Sequence, residues 1–374
     1  MLESVGRACQ VLKLFRDENE ALGLAEVAQR SGLEKTIAFR ILRTLEQHGL
    51  LRRTAEARYV SNVRIGSARR FRIGYAAQEH NTPFSDAVTA SLRRAAAREG
   101  VELVVTDNRY SANVALKNAR KLIGEKIDLA IEFQTHERVA PVISSLFEEA
   151  GIPLIAIGTP HPGASFYGAN NYRAGLTAGR ALGKWVRRQW DGEVGELLLL
   201  EIELKGALPK LRLTGAEAAL REAAPPLPAD RVFHLDTRGS YTRTMELVRD
   251  HLRRRPARST VIAGITDLCV LAALRAFEEA GQLESCAAIG MGTIGEARSE
   301  LMKPDTRLIG SISFFPEKYG DDVMRLALDI LHKRPTPPAV YAQHRLITRD
   351  NLRRHYPAEG QPELRGFEGT QRLA

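Results

Sequence analysis

The spacing of apolar residues changes near residue 70 and divides the chain into two parts. In the first part, apolar positions recur every three or four residues, which is typical of amphipathic helices. The pattern predicts a leading helix over residues 2–15, then two short helices joined by a tight turn at Ser31-Gly32, where glycine supplies backbone freedom. Residues 50–53 and 58–60 follow and are predicted to pair as a small basic hairpin.

The second of these short helices has two contrasting faces. Ile37, Ile41 and Leu45 fall at helical spacing and are predicted to point inward. The opposite face has hydroxyl, guanidinium and amide groups, one aromatic ring and no acid: Thr36, Phe39, Arg40, Arg43 and Gln47. Because an α-helix fits the DNA major groove and arginine reads guanine edges there, this face is predicted to bind DNA. An ordinary solvated helix face is the alternative.

Two groups of residues are expected to contact DNA. The residues expected at bases or phosphates are Thr36, Phe39, Arg40 and Arg43. Those expected at the phosphate backbone are Lys35, Arg52, Arg53 and Arg58.

A series of short motifs runs through residues 1–65: Ser4-Val5-x-Arg7-Ala8, Ala25-Glu26-Val27-Ala28, Ser31-Gly32-Leu33, Lys35-Thr36, Arg40-Ile41-Leu42, Thr44-Leu45-Glu46 and His48-Gly49. With these motifs the segment resembles the winged helix-turn-helix domain of IclR-type transcription regulators. It departs from that pattern at Ile37 and Phe39, where the family commonly has a small hydroxyl or β-branched residue and then a polar ring. The resemblance implies binding to double-stranded operator DNA.

From residue 71 onward, short apolar runs alternate with amphipathic segments. The runs are residues 71–77, 101–107, 127–133, 152–158, 195–202, 231–236, 259–265, 285–291 and 308–315. Runs this apolar, with helices between them, predict a doubly wound parallel sheet covered on both faces, and therefore the α/β class. Residues 165–171 interrupt the pattern and are predicted to open a long helix over 172–190. A helix to residue 333 and a last strand near 339–347 complete the prediction.

Four motifs in this second part occur in a characteristic order: Asn81-Thr82-Pro83-Phe84, Gly151-Ile152-Pro153-Leu154-Ile155, Gly168-x-Asn170-Asn171-x-x-Ala174-Gly175 and Asp267-x-x-x-Leu271-x-Ala273-Leu274. Residues 71–349 therefore resemble the type I periplasmic sugar-binding proteins and the effector domains of LacI-type repressors. The resemblance implies a two-lobed ligand-binding domain that closes around a small molecule, here a sugar or a sugar derivative.

These patterns predict four segments. They are a DNA-binding domain over residues 1–62, a linker over 63–70, a ligand-binding domain over 71–356 and a flexible tail over 357–374. Within the ligand-binding domain, the N-lobe is predicted to comprise 71–170 and 315–338, and the C-lobe 171–314 and 339–356.

In doubly wound sheets, ligands bind beyond the carboxyl ends of the strands. The polar and aromatic residues at those ends are the candidate ligand-binding set: Asn81, Phe84, Glu132, Thr159, Asn171, Arg212, Thr266, Asp267 and Phe314. Sugars need aromatic faces for their C–H surfaces and carboxylates, amides or arginine for their hydroxyl groups.

Two polar positions of the sugar receptors are missing from this chain. Gly158-Thr159 stands where they usually have an acid–arginine pair, and Gly292 where they usually have aspartate. We therefore expect an acidic or substituted sugar derivative, with Arg212 meeting the acid. The alternative is that Arg212 pairs with a neighbouring acid such as Glu217 or Asp267.

Charge and motif content narrow the function further. Residues 1–70 have 13 Lys or Arg against 8 Asp or Glu, so they contribute +5 of the net charge of +9, as a phosphate-binding domain requires. The three cysteines are too few and too scattered for a zinc site, and Cys9 is predicted to pack in a core. No stretch is apolar enough to span a membrane, so a cytoplasmic location is expected.

The sequence also bears on cofactor binding, catalysis and oligomeric state. The glycines of Gly290-x-Gly292-x-x-Gly295 spell a dinucleotide motif, but late in the chain and without a suitable acid, so no cofactor is expected. No catalytic motif appears, so the chain is not expected to be an enzyme. A homodimer is expected because operators mirror two-fold symmetry. A cytoplasmic small-molecule-binding protein whose head binds a protein partner and, less favoured, an NAD-dependent enzyme are the alternatives.

Overall fold

The chain forms two compact units, a head that ends at Phe71 and a body that begins at Arg72. The computed structural model describes residues 3–15, 20–62, 70–80, 82–134, 136–223, 227–255 and 258–357. Most of the predicted linker, all of the predicted tail after residue 357, and Asn81 lie outside these residues. Within the described ranges, no helix combines the length and apolarity needed to cross a membrane.

In its described residues, the head has three helices followed by a two-stranded hairpin. Its elements are α1 (Glu3–Leu12), α2 (Leu24–Ser31), α3 (Lys35–Gln47), β1 (Leu51–Arg53) and β2 (Tyr59–Ser61). The strands β1 and β2 are antiparallel, and Arg52 lies opposite Val60. Gly32 ends α2 in the left-handed conformation, which allows the sharp corner before α3. The predicted helix-turn-helix with its wing is confirmed.

The core of the head differs from the prediction in two places. The buried row of α3 is Ala38, Leu42 and Leu45. Ile37 and Ile41, which were predicted to point inward, are only partly buried. The buried row of the helix begins at Ala38, one residue after Ile37, and continues at helical spacing. The prediction for Cys9 was also wrong: it is exposed on α1, whose one buried residue is Val11.

The body contains two six-stranded sheets, one in each lobe. The N-lobe sheet consists of β3 (Arg72–Ala77), β4 (Glu102–Asp107), β5 (Leu129–Phe133), β6 (Leu154–Ile157), β7 (Ser165–Ala169) and β13 (Ala339–Ala342), in the order β13-β7-β6-β5-β3-β4. The C-lobe sheet consists of β8 (Glu196–Glu201), β9 (Val232–Asp236), β10 (Thr260–Gly264), β11 (Cys286–Met291), β12 (Leu308–Ser313) and β14 (Arg345–Ile347), in the order β14-β12-β11-β10-β8-β9. All neighbouring strands are parallel except β12 and β14.

Helices cover the sheets of both lobes. Those of the N-lobe are α4 (Pro83–Arg98), α5 (Ala112–Gly124), α6 (Ala140–Glu149) and α12 (Tyr319–Leu331). Those of the C-lobe are α7 (Asn171–Gln189), α8 (Ala207–Ala223), α9 (Tyr241–Arg254), α10 (Asp267–Glu279), α11 (Gly295–Met302) and α13 (Arg349–His355). The chain crosses between the lobes after β7, after β12 and between β13 and β14. The predicted class, a winged helix-turn-helix followed by a two-lobed parallel α/β domain, is confirmed.

Two elements at the lobe boundary correct the sequence prediction. Residues 165–169 form the strand β7 rather than an irregular approach to the long helix. The single strand predicted near 339–347 is two strands, and Ala339–Ala342 pairs with β7. Residues 339–342 therefore belong to the N-lobe, and not to the C-lobe as predicted, because their hydrogen bonds complete the N-lobe sheet.

The closest helix pair of the C-lobe, α7 and α8, fixes the place of a candidate site residue. A Cβ atom at Gly175 would lie 2.1 Å from the carbonyl oxygen of Arg212, and one at Gly179 would lie 2.1 Å from that of Ala216. Only glycine permits this separation of the two backbones. As a result, the first turns of both helices lie side by side, and Arg212 reaches Asn171 at the start of α7.

Candidate functional site

The DNA-binding candidates of α3 lie on its solvent face. Lys35, Thr36, Phe39, Arg40 and Arg43 are all exposed, because the buried row of the helix occupies the other side. Within the described residues, none of the three cations forms an ion pair. Phe39 is 39% exposed, which is unusual for a large apolar side chain. This face can therefore meet a phosphate backbone or a base edge without breaking any internal contact.

The three arginines of the wing divide into two kinds. Arg52 and Arg53 are exposed, and the guanidinium of Arg53 lies 5.9 Å from the ring centre of Tyr59. Arg58 instead donates to the carbonyl oxygen of Ala21 from Nε at 3.0 Å and from Nη2 at 2.7 Å. Its Nη2 also lies 2.6 Å from the carboxylate of Glu26. Arg58 thus ties the wing to α2 and has less freedom to follow a phosphate than its neighbours.

The body has a guanidinium at the junction of its lobes. Arg212 donates from Nε to the side-chain oxygen of Asn171 at 2.8 Å and from Nη1 to the carbonyl oxygen of Ile265 at 3.0 Å. Its guanidinium lies 4.5 Å from the ring centre of Phe314. Burial lowers the pKa of Arg212 to about 10. It stays a cation at neutral pH, but one held in a poorly solvated place.

Neither acid suggested by the sequence neutralises Arg212. Glu217 binds Arg221, with 2.8 Å between the carboxylate oxygen and Nη2. Asp267 acts on Arg212 only through its field, and in the described part of the chain Arg212 forms no ion pair. Nη2 also has no hydrogen-bond partner there, which leaves a donor for a ligand.

Two aromatic residues of the N-lobe lie at the same junction. Phe84, at the start of α4, packs against the core of the C-lobe. Its ring contacts that of Tyr319 edge to face, with 5.7 Å between the ring centres. Tyr319 lies close enough to Arg212 for each to affect the pKa of the other. The structure therefore brings Phe84, Arg212 and Tyr319 together. Tyr319 was missed in the sequence because it lies at the start of a helix rather than at a strand end.

Glu132 is placed away from this junction, on a covered face of the N-lobe sheet. It pairs with Ala76 and Ala156 on the neighbouring strands, and the same face is covered by α5 and α6. Its Oε1 accepts from Asn108 at 2.8 Å, whereas its Oε2 is buried without a partner in the described residues. Burial raises the pKa of Glu132 to about 8, despite the hydrogen bond from Asn108.

Asp267 is engaged inside the C-lobe. Its Oδ1 accepts from the hydroxyl of Ser311 at 2.6 Å, and its Oδ2 accepts from the amide of Ile294 at 3.0 Å. Burial raises the pKa of Asp267 to about 6, although these donors favour the charged form. The carboxylate holds the loop after β11 and has little capacity left for a ligand.

The remaining two candidates make local contacts. Thr266 precedes α10 and donates its hydroxyl to the sulfur of Cys269 at 3.2 Å. The carbonyl oxygen of Thr159, which follows β6, lies 2.9 Å from Nδ1 of His161. His161 is buried, and burial lowers its pKa.

The amides of the glycine-rich loop after β11 are engaged within the protein. The amide of Gly292 donates to the carbonyl oxygen of Ile312, that of Thr293 to Ser311 and that of Ile294 to Asp267. These groups would have to break their bonds before they could cradle a phosphate.

Two family models match the chain. Residues 73–335 match the model of the periplasmic binding protein domain, and residues 4–55 match the IclR helix-turn-helix domain. No curated protein is similar enough in sequence to count as a relative of this chain.

Solved structures resemble the body. The solute-binding protein of an ABC transporter from Actinobacillus succinogenes, with bound D-allose, has 16% sequence identity and a TM-score of 0.66. The matched region covers 76% of this chain and 99% of that protein. One from Bacillus halodurans, with bound myo-inositol, has 17% identity and a TM-score of 0.65, covering 77% and 98%. A glucose-galactose binding protein from Geobacillus stearothermophilus has 21% identity and a TM-score of 0.65, covering 75% and 98%. At these identities the likeness concerns the fold.

Proposed function

The chain belongs to the family of periplasmic binding protein domains, and we propose that it acts as a transcription regulator whose two-lobed body binds a small effector. One observation carries the proposal. A single chain joins an exposed, acid-free face of a helix-turn-helix to a two-lobed fold with an unneutralised guanidinium at its lobe junction. Such a protein works where operator DNA is found, in the cytoplasm.

The head supplies DNA recognition in this proposal. Arg40 and Arg43 read or clamp the duplex from α3, and Arg52 and Arg53 hold the backbone from the wing. Two heads in a homodimer would bind two half-sites, since one small head contacts few phosphates.

The body supplies the response to the effector. A ligand that prefers one angle between the lobes shifts the balance of open and closed forms about the three crossings. Such a shift would change the separation of two heads in a dimer, and with it the affinity for the operator.

We propose a sugar acid or a similar anionic sugar derivative as the effector. The related structures hold a neutral sugar or cyclitol, but this chain lacks two of the polar groups expected around such ligands. Instead it keeps Arg212 half-buried without an acid, and an unpaired charge that has lost part of its water is costly. A carboxylate or phosphate on the ligand would relieve that cost, while the half-buried Phe84, which Tyr319 supports from below, offers an aromatic surface to a sugar ring.

DNA recognition is tested by selecting operator sequences from a random duplex library with the full-length protein. The variant Arg40→Ala/Arg43→Ala should weaken binding to the selected duplex at least tenfold, since each charge-assisted contact is worth about 1–3 kcal/mol. The variant Lys117→Ala/Arg120→Ala, which removes two cations from α5, is the control and should bind normally. Failure to enrich any sequence, or equal binding by both variants, would contradict the proposal.

Effector recognition is tested by thermal shift with sugar acids, sugar phosphates, neutral sugars and polyols. A ligand at 100 times its Kd adds about 2.7 kcal/mol of stability, which gives a clear shift. We expect hits among the anions only, and their loss in Arg212→Ala but not in Arg221→Ala, whose arginine lies on the same helix. Hits confined to neutral sugars would rule out the anionic class.

A further inference from the structure

The helix α7 carries an unusual set of charges. Five cations lie along it, Arg173, Arg180, Lys184, Arg187 and Arg188, and the helix has no acid. All five are exposed. In no other helix of the described residues do five cations occur without an acidic residue.

The five cations lie in one stripe. At about 100° per residue their spacing confines them to an arc of about 100°, opposite the buried row that includes Ala174, Ala178 and Leu182. At a rise of about 1.5 Å per residue, the stripe from Arg173 to Arg188 is about 22 Å long. The close packing of α7 on α8 holds this stripe straight and in a fixed orientation within the C-lobe.

No acid compensates the stripe. On other helices of the C-lobe, exposed cations occur together with acids that pair with some of them, as Glu279 pairs with Arg249 and Arg275. In the described ranges, none of the five cations of α7 forms an ion pair. The nearest acids in sequence, Asp191 and Glu193, come after the helix ends. Like charges three and four residues apart, such as Arg180 and Lys184, oppose helix formation, so an external anion would stabilise this face.

We propose that this stripe is a second DNA contact, which binds the phosphate backbone of a duplex without reading its sequence. Its length corresponds to about six base-pair steps at about 3.4 Å each. A membrane surface fits less well, because a helix that binds membranes presents an apolar face beside its cations, and the apolar face of α7 is buried in the C-lobe. The proposal goes beyond effector-dependent regulation, since it assigns DNA binding to the body as well as to the head.

The test measures the salt dependence of binding to a non-operator duplex of mixed sequence, by fluorescence anisotropy with the full-length protein. Each phosphate contact contributes about 0.9 to the slope of log K against log salt concentration. The variant Arg180→Gln/Lys184→Gln/Arg187→Gln should lower the slope by up to about 2.7. The variant Lys117→Gln/Arg120→Gln/Lys121→Gln changes the net charge equally from exposed positions on α5 and should leave the slope unchanged.

A head variant separates this inference from the proposed function. A lower slope in the α7 variant supports the stripe, whether or not Arg40→Ala/Arg43→Ala also lowers the slope. A slope in the α7 variant equal to that of the α5 control overturns the stripe, even where the head variant weakens binding. Should the triple variant fail to fold, Arg187→Gln/Arg188→Gln carries the same expectation with a slope change of up to about 1.8.

Discussion

Glu132 in the N-lobe and Asp267 in the C-lobe are both buried near the carboxyl edge of their sheet, but they differ in their hydrogen bonds. Asp267 in the C-lobe receives hydrogen bonds at both oxygens, and its pKa is raised only to about 6. Glu132 in the N-lobe receives one at a single oxygen, and its pKa is raised to about 8. At neutral pH, Asp267 is therefore mainly charged and Glu132 mainly neutral. The number of hydrogen-bond donors decides whether a buried acid is ionised or protonated at neutral pH.

The largest expected effect concerns Glu132 and pH. Because its folded-state pKa lies above its unfolded value of about 4.5, its stabilising contribution is complete below pH 4.5 and is lost as the pH rises through about 8. The variant Glu132→Gln should therefore gain stability over the natural protein between pH 5 and pH 9, by at most about 5 kcal/mol at 1.36 kcal/mol per pKa unit. Thermal unfolding followed by circular dichroism across this range measures the gain.

The control for this experiment is Glu148→Gln, which removes an exposed acid of the same lobe. Its stability should follow that of the natural protein at every pH. A Glu132→Gln variant that also runs parallel to the natural protein would show that Glu132 is ionised when folded, and the contrast with Asp267 would disappear.

A smaller effect, this time a loss of stability, is expected for Asp267→Ala. The change leaves the Ser311 hydroxyl and the Ile294 amide without their acceptor, and removing a carboxylate whose pKa is raised by burial offsets part of that cost, so we expect a net loss of about 2–4 kcal/mol. Both tryptophans, Trp185 and Trp190, lie in the C-lobe, so urea unfolding followed by their fluorescence reports on the correct lobe. Asp305→Ala, at an exposed position of the same lobe, should change little, and equal midpoints for the two variants would contradict the structural role of Asp267.

The smallest expected effect comes from making the surroundings of Asp267 more like those of Glu132. Ser311→Ala removes one donor from Asp267 and should cost about 1–2 kcal/mol. It should also raise the pKa of Asp267 further, so that the aspartate becomes more like Glu132. The pH dependence of the stability measured by tryptophan fluorescence should then extend to higher pH than in the natural protein. An unchanged pH dependence would contradict the idea that hydrogen-bond donors set the pKa of the buried acid.

The sequence was enough to predict the strands with continuous apolar runs and the helices with clear periodicity. It missed β7, since Gly168 and the polar residues that follow looked like the approach to a helix. It also merged β13 and β14, because only the pairing of Ala339–Ala342 with β7 shows that the two strands belong to different sheets. Pairing between distant segments leaves no mark on local periodicity.

For the same reason, the candidate residues chosen from strand ends do not all lie in one place. The residues expected there include Arg212 and Phe84, which the structure brings to the lobe junction. They also include Glu132 and Asp267, whose side chains turn back into their own lobes to meet Asn108 and Ser311. The direction of a side chain depends on partners far along the chain, and no local spacing reveals them.

The division of the last two strands between the sheets has a consequence for biosynthesis. A ribosome delivers the chain from its N-terminus, and domains generally fold as units as they emerge. The head has all its elements once Ser61 has emerged, whereas the N-lobe sheet lacks an edge strand until Ala342 arrives, and the C-lobe sheet until Ile347. A nascent chain can therefore acquire a folded helix-turn-helix head long before either lobe is complete, and a message truncated near residue 335 would yield a head without a finished body.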